Sequence, residues 1–196
     1  MEHTVLLASN SPRRRELLKQ IGLSFTVAPA DVDESVLPGE SPDAYAARVA
    51  FDKARIAAEN AGEGIVIAAD TIVVAGDAIL GKPADARDAE GMLALLAGKE
   101  HRVVTALVVM DAATGRSATR ISVTKVWFRD LTEREIAAYV ATGEPLDKAG
   151  AYGIQERGAL LVERIEGCYS NVVGLPLSLL GEMLREFGVY PVRESR

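Results

Sequence analysis

Short apolar runs alternate with amphipathic stretches along this chain, and their periods change from two to near 3.6 and back. Residues 4–8 read as a strand and lead directly into Ser9-Asn-Ser-Pro-Arg-Arg-Arg15. Ser11 suits an N-cap and Pro12 a first helical turn, with Leu17, Leu18 and Ile21 as the apolar stripe behind them. Residues 25–27 predict the next strand, and residues 29–40 an acidic, proline-containing loop. A second helix is expected from Ser41-Pro42-Asp43 to about residue 60. Tyr45, Val49 and Ile56 share one of its faces, and Gly62 lies beyond its end. Residues 65–70 predict a buried strand that closes on a carboxylate and continues extended over 71–74. Gly76-Asp77 then turns it back toward Ile79 and Leu80. A third helix is expected over 86–96, with Met92, Leu93 and Leu96 inward. Strands over 101–110 and 117–128 flank a turn at 112–115. Thr132 and Glu135 form a capping box that opens a fourth helix, closed by Gly143. Residues 160–165 predict a strand, and Leu180, Met183, Leu184 and Phe187 mark a last helix. Strands and helices mixed in this way, with an antiparallel pair, predict an α/β fold with a mixed sheet.

Composition narrows the class. A chain of 196 residues suffices for one sizeable α/β domain or two small lobes, and burial of about 70% of its unfolded surface makes staples unnecessary. Cys168 is a lone cysteine, and His3 and His101 are the two histidines, so no internal disulfide or Cys/His zinc cluster is expected. No signal-like or membrane-spanning run stands out, and a soluble cytoplasmic protein is expected. The net charge of −6 argues against a general nucleic-acid-binding surface. Any phosphate site must therefore be a local basic pocket, which suits a small ligand.

Arg13, Arg14 and Arg15 stand at a helix start, where the dipole is already positive, and the combination favours a polyanion. Asp70, at the end of a buried strand, can hold a divalent cation or take a proton from water. Asp31, Asp33 and Glu34 crowd the acidic loop, and one of them facing Asp70 would give the paired carboxylates of metal-assisted phosphoryl chemistry. Spacing alone does not choose among the three. Lys53 and Lys82 are candidate phosphate cations, although an exposed helix lysine is the plainer reading of Lys53. Residues 76–82 match most of a Walker A pattern, but Pro83 has neither the hydroxyl nor the N–H that a P-loop needs there, which excludes a P-loop NTPase. Residues 143–155 carry glycines, a proline and no clear period, so they predict an ordered binding loop. In it, Asp147 and Lys148 can pair, Gln155 can read a base edge, and Tyr152 can pack beside a ring. Residues 171–177 lead into the last helix and are expected to be structural.

Together these segments closely resemble the Maf family of nucleoside triphosphate pyrophosphatases. The matching motifs are Ala8-Ser-Asn-Ser-Pro-Arg-Arg14, Ala68-Ala-Asp-Thr-Ile-Val73, Gly81-Lys-Pro83, Glu144-Pro-Leu-Asp-Lys-Ala-Gly-Ala-Tyr-Gly-Ile-Gln155 and Asn171-Val-Val-Gly-Leu-Pro-Leu177. They occur in family order over residues 4–187; the tails at 1–3 and 189–196 lie outside the likeness. The resemblance implies one elongated mixed α/β domain, with helices flanking the sheet and two lobes around a central cleft, akin to the inosine triphosphate pyrophosphatases. It implies that Asp70 accepts a proton from water and that Glu34 is the second site carboxylate, the two holding Mg2+ or Mn2+. Arg13, Lys53 and Lys82 match positions that contact phosphates or support catalysis. Ser9 and Arg14 fall in the first substrate-binding motif, and Arg13, Thr71 and Gln155 match positions tied to substrate choice. The Gly-Ile-Gln ending resembles the branch acting on dTTP and UTP; a sister branch prefers 7-methyl-GTP. A homodimer is implied as well. The rival reading is a non-catalytic nucleotide-binding regulator of cell division.

Overall fold

The computed structural model describes residues 4–191. Among these residues seven strands form one mixed sheet: β1 (Val5–Leu7), β2 (Thr26–Val27), β3 (Ile65–Ala75), β4 (Ala78–Leu80), β5 (Glu100–Asp111), β6 (Ser117–Phe128) and β7 (Val162–Glu166). Their order is β2-β1-β3-β5-β6-β7, with β4 paired to β3 off this path. β1 runs parallel to both β2 and β3, whereas β3–β4 and β6–β7 are antiparallel. Among the described residues six α-helices accompany them: α1 (Pro12–Gln20), α2 (Pro42–Ala61), α3 (Ala86–Leu96), α4 (Glu133–Val140), α5 (Tyr169–Val173) and α6 (Leu177–Glu186). Among the described residues no helix is long and apolar enough to cross a membrane.

The chain divides into two compact units. The first comprises residues 1–70, 105–122 and 174–196, so it holds β1, β2, α1, α2, α6 and the part of β3 that ends at Asp70. Its interior is built from residues that alternation and helical spacing select: Leu7, Leu18, Val49, Ile67, Leu107, Leu180 and Met183 are all buried. Local chemistry fixes its helix ends. The Ser11 and Ser41 side chains accept from the backbone N–H groups of Arg14 and Ala44, each followed by proline. α2 stops at Gly62, whose φ of 73° is the left-handed conformation that glycine tolerates. Each serine cap is worth about 1 kcal/mol.

The second unit comprises residues 71–104 and 123–173. Its core gathers Val73, Leu93, Leu96, Val103, Phe128, Ile136, Tyr139 and Tyr152 among others, and α3 packs on α4. The predicted capping box is present: Thr132 Oγ1 accepts from Glu135 N–H, and the Glu135 carboxylate accepts from Thr132 N–H. Residues 144–160 form three short 3-10 turns instead of a long helix or strand. Leu160, expected at the start of a strand, sits in the last of these turns, and β7 begins at Val162. The difference follows from its exposure of 71%, which removes the packing that would favour a strand there.

Candidate active site

The first unit gathers its chemistry where β1 and β3 run out of shared register. Leu7 pairs with Ile67, and Ala8 N–H donates to the Ile67 carbonyl at 2.8 Å. Ser9 and Asp70 therefore follow at the same, carboxyl end of a parallel pair, which is where open α/β sheets present functional groups. Ser9 is buried, and its Oγ accepts from Ser11 N–H and from Arg14 Nη1, each at 3.2 Å. Arg14 Nε donates to the Gly174 carbonyl at 2.8 Å, so this guanidinium also ties α1 to the segment before α6. Burial lowers the Arg14 pKa first of all and the neighbouring Arg13 lowers it further, while Asp70 and Glu34 oppose the shift. It remains a cation, as arginine does in proteins.

Lys53 is the centre of the arrangement. Val49 and Lys53 are one turn apart on α2, so the lysine rises from the buried face that Tyr45 and Val49 begin. Its Nζ lies 2.8 Å from Asp70 Oδ1 and 2.7 Å from Glu34 Oε1. The side chains of Lys53 and Asp70 are 12% and 11% exposed, so the plain reading of Lys53 as a surface helix lysine fails. Ionised groups this deep persist because they neutralise one another. Of the three acids in the loop, Glu34 is the one that meets Lys53. Asp33 instead accepts from Ser35 N–H at 2.9 Å, and hydrogen bonding from the Ser35 side chain first, then from this N–H, holds its carboxyl below the usual range. Tyr45 donates its hydroxyl to the Glu34 carbonyl at 2.8 Å. Burial, aided by the charges of Asp70 and Glu34, pushes the Tyr45 phenol up to about 12, so it stays protonated as a donor.

Arg13, Arg14 and Lys53 bring three positive charges against two from Asp70 and Glu34. The cluster is thus left with one positive charge in a chain of net −6, a local basic site suited to an anion. No group of three or more His, Cys, Asp or Glu placed to hold a metal occurs among the described residues. Two carboxylates alone nevertheless match magnesium, which takes one or two from protein and the remainder from water and phosphate oxygens. In this structure both carboxylates meet one cation, the Lys53 ammonium.

The other predicted residues belong to the second unit. Thr71 follows Asp70 in β3, half-buried, and Lys82 lies exposed after β4. Next to it, the Gly81 carbonyl accepts from Gly150 N–H at 3.0 Å. Gln155 is half-buried, just ahead of the third 3-10 turn. The loop before it is tied internally. Glu144 Oε1 accepts from Tyr139 Oη–H at 2.9 Å and Gly158 N–H at 3.0 Å. Lys148 pairs with Asp147 at 2.8 Å. Tyr152 does not stand ready for a ligand's ring: it is buried, edge-on to Phe128 and His101, with its Oη 2.7 Å from His101 Nε2. Its apolar ring was needed by the core. Asn171 Nδ2 donates to the Val103 carbonyl and to Thr124 Oγ1. His3 lies outside the described residues.

Tyr45 was expected only as a position on the apolar face of α2, and Arg48 and His101 were not expected to bear on the site or the loops. The spacing of Tyr45 and Arg48 from Lys53, eight and five residues back, carried a weak signal for the first two. His101 sits in an apolar strand pattern and carried none.

An α/β fold with carboxylates, a shared lysine and arginines at the end of a parallel strand pair defines a class of sheet proteins equipped for a small anionic ligand. Within it, residues 4–187 match the family model described as Maf-like protein, and the chain belongs to that family. It is 52% identical over 192 residues to a dTTP/UTP pyrophosphatase of Acetivibrio thermocellus, covering 94% of this chain and 96% of that one. A dTTP/UTP pyrophosphatase of Pelotomaculum thermopropionicum is 49% identical over 184 residues, with the same coverage, and one from Methanosarcina barkeri is 46% identical over 186 residues, covering 94% of each chain. Among solved structures, a HAM1 protein from Coxiella burnetii shares the fold at 14% identity. Its TM-score is 0.56, with 94% of this chain and 100% of that one covered.

Proposed function

We propose that this chain is a nucleoside triphosphate pyrophosphatase that hydrolyses dTTP and UTP to the monophosphate and pyrophosphate. The observation that carries the mechanism is Lys53 held between Asp70 and Glu34, beside the arginines of α1. The names of the relatives support the substrate.

Among the described residues the hydrogen-bond partner of Asp70 is Lys53, which takes Oδ1 and leaves Oδ2 for a water. Asp70 orients that water and accepts its proton as the oxygen bonds to the α-phosphorus. The bond from that phosphorus to the bridging oxygen breaks, and pyrophosphate leaves with the electron pair. Arg13 and Lys53 offset the charge that grows on the leaving group, and Lys82 takes the same role by family likeness. Removing one such preorganised donor typically costs about 2.7–4 kcal/mol of barrier. Mg2+ or Mn2+, held by Asp70 and Glu34, would supply further charge neutralisation on the triphosphate. Ser9 and Arg14 serve substrate binding through the first motif, and Thr71 and Gln155 govern base choice. The cytoplasmic placement and the homodimer implied by the family likeness belong to the same proposal.

The test is a panel of dTTP, UTP, 7-methyl-GTP and purine triphosphates with Mg2+, scored by product. Pyrophosphate from dTTP and UTP is expected. Preference for 7-methyl-GTP would overturn the reading of Gln155, and orthophosphate or no release would overturn the activity.

A further inference from the structure

Residues 28–37 form no helix or strand, with only a turn at 38–39 before α2, and residues 33–39 are exposed. Fixing each residue of such a segment costs about 1–2 kcal/mol of chain entropy. Glu34 nevertheless reaches Lys53 at 2.7 Å. Something must hold the loop, and its bonds converge on one side chain of α2.

Arg48 grips the loop at three points. Its Nε and Nη2 meet Glu40 Oε1 and Oε2 at 2.7 and 2.9 Å, a bidentate fork. Nη2 also donates to the Ser35 carbonyl at 2.8 Å, and Nη1 to the Asp33 carbonyl at 3.4 Å. These two carbonyls bracket Glu34. Three residues earlier on the same helix, Tyr45 donates to the carbonyl of Glu34 itself, and the Arg48 guanidinium lies 5.5 Å from the Tyr45 ring centroid. Glu40, fixed by the fork, accepts in turn from Leu37 N–H at 3.1 Å, and its side chain is 9% exposed. Carbonyls 33, 34 and 35 are thus each bound from α2, the helix that also carries Lys53.

We propose that Arg48, assisted by Tyr45, is a positioning residue for the reaction: it sets the backbone of residues 33–35 so that the Glu34 carboxylate stays on Lys53 beside Asp70. The role rests on the pyrophosphatase reading above. It depends on the planar guanidinium fork more than on charge, because one group binds two carboxylate oxygens and two carbonyls at once.

The experiment combines amide hydrogen exchange over residues 33–37 with steady-state UTP hydrolysis in wild type, Arg48→Met, Arg48→Lys, Glu34→Gln and the Arg48→Met/Glu34→Gln double variant. Arg48→Met should speed exchange of the segment and lower kcat about tenfold, with KM within about threefold. In the Glu34→Gln background it should cost no more than about twofold further, because the two residues act as one unit. Arg48→Lys should resemble Arg48→Met. Tyr45→Phe, which removes one hydroxyl from an otherwise intact core, should move exchange and kcat in the same direction by less, and decides the matter if Arg48→Met does not fold. Unchanged exchange, losses that multiply in the double variant, or full rescue by lysine would overturn the proposal. Absence of UTP turnover in the wild type would overturn the functional reading instead, and the exchange data would still decide whether Arg48 orders the loop.

Discussion

Asp70 and Lys53 differ in what each can lose. Asp70→Asn keeps the shape of the side chain and leaves Lys53 its bond to Glu34, so the fold should survive. What disappears is the proposed acceptor of the water proton, and general-base groups contribute about 10²- to 10⁴-fold. Turnover of UTP should fall by that range while the melting temperature and nucleotide binding stay near wild type. Near-normal kcat in that variant would remove Asp70 from the mechanism. The carboxylate was legible in the sequence because it closes the buried run Ile65-Val-Ile-Ala-Ala, where open α/β sheets present functional groups, in a chain that offers further acids and phosphate cations for the same site. The choice of Glu34 over Asp31 and Asp33 was not. It depends on which carbonyls Arg48 and Tyr45 bind, contacts that skip eleven to fifteen positions along the chain.

At the level of elements, helices were read well because their signals are local. Ser11, Ser41 and the Thr132–Glu135 box each cap as expected, and α3 occupies the predicted residues 86–96. The loop of residues 143–155 was recognised as ordered, but its ties were hidden, since a 3-10 turn leaves no period to read. β5 supplies one of its anchors. His101, 2% exposed, meets the Tyr152 hydroxyl, and burial pushes its pKa down to about 4. A depressed histidine pKa means that the unfolded chain binds the proton more readily. Its stabilising share is therefore complete above pH 6.5 and is lost as the pH falls from there through about 4. The span corresponds to about 3 kcal/mol. Unfolding free energies of wild type and His101→Gln, measured between pH 4 and 7.5, should converge toward low pH. Parallel curves would show that His101 does not titrate with folding.

For the whole chain, fold class and family were both accessible from the sequence, because the motifs at Ser9, Asp70, Lys82, Gln155 and Asn171 occur in one order and the matching family model covers residues 4–187. The family likeness implied two lobes, but the boundary between the two units was not accessible: β3, β5 and β6 each run through both, so no linker marks it. A net charge of −6 around a locally positive cluster limits phosphate affinity to that cluster. In the proposed reaction, water attacks the α-phosphorus under the control of Asp70. Hydrolysis of UTP by the Mg2+-supplied protein in 18O-enriched water, followed by mass spectrometry of both products, tests this most directly. One heavy oxygen in UMP and none in pyrophosphate is predicted. Label in the pyrophosphate, or release of orthophosphate, would contradict it.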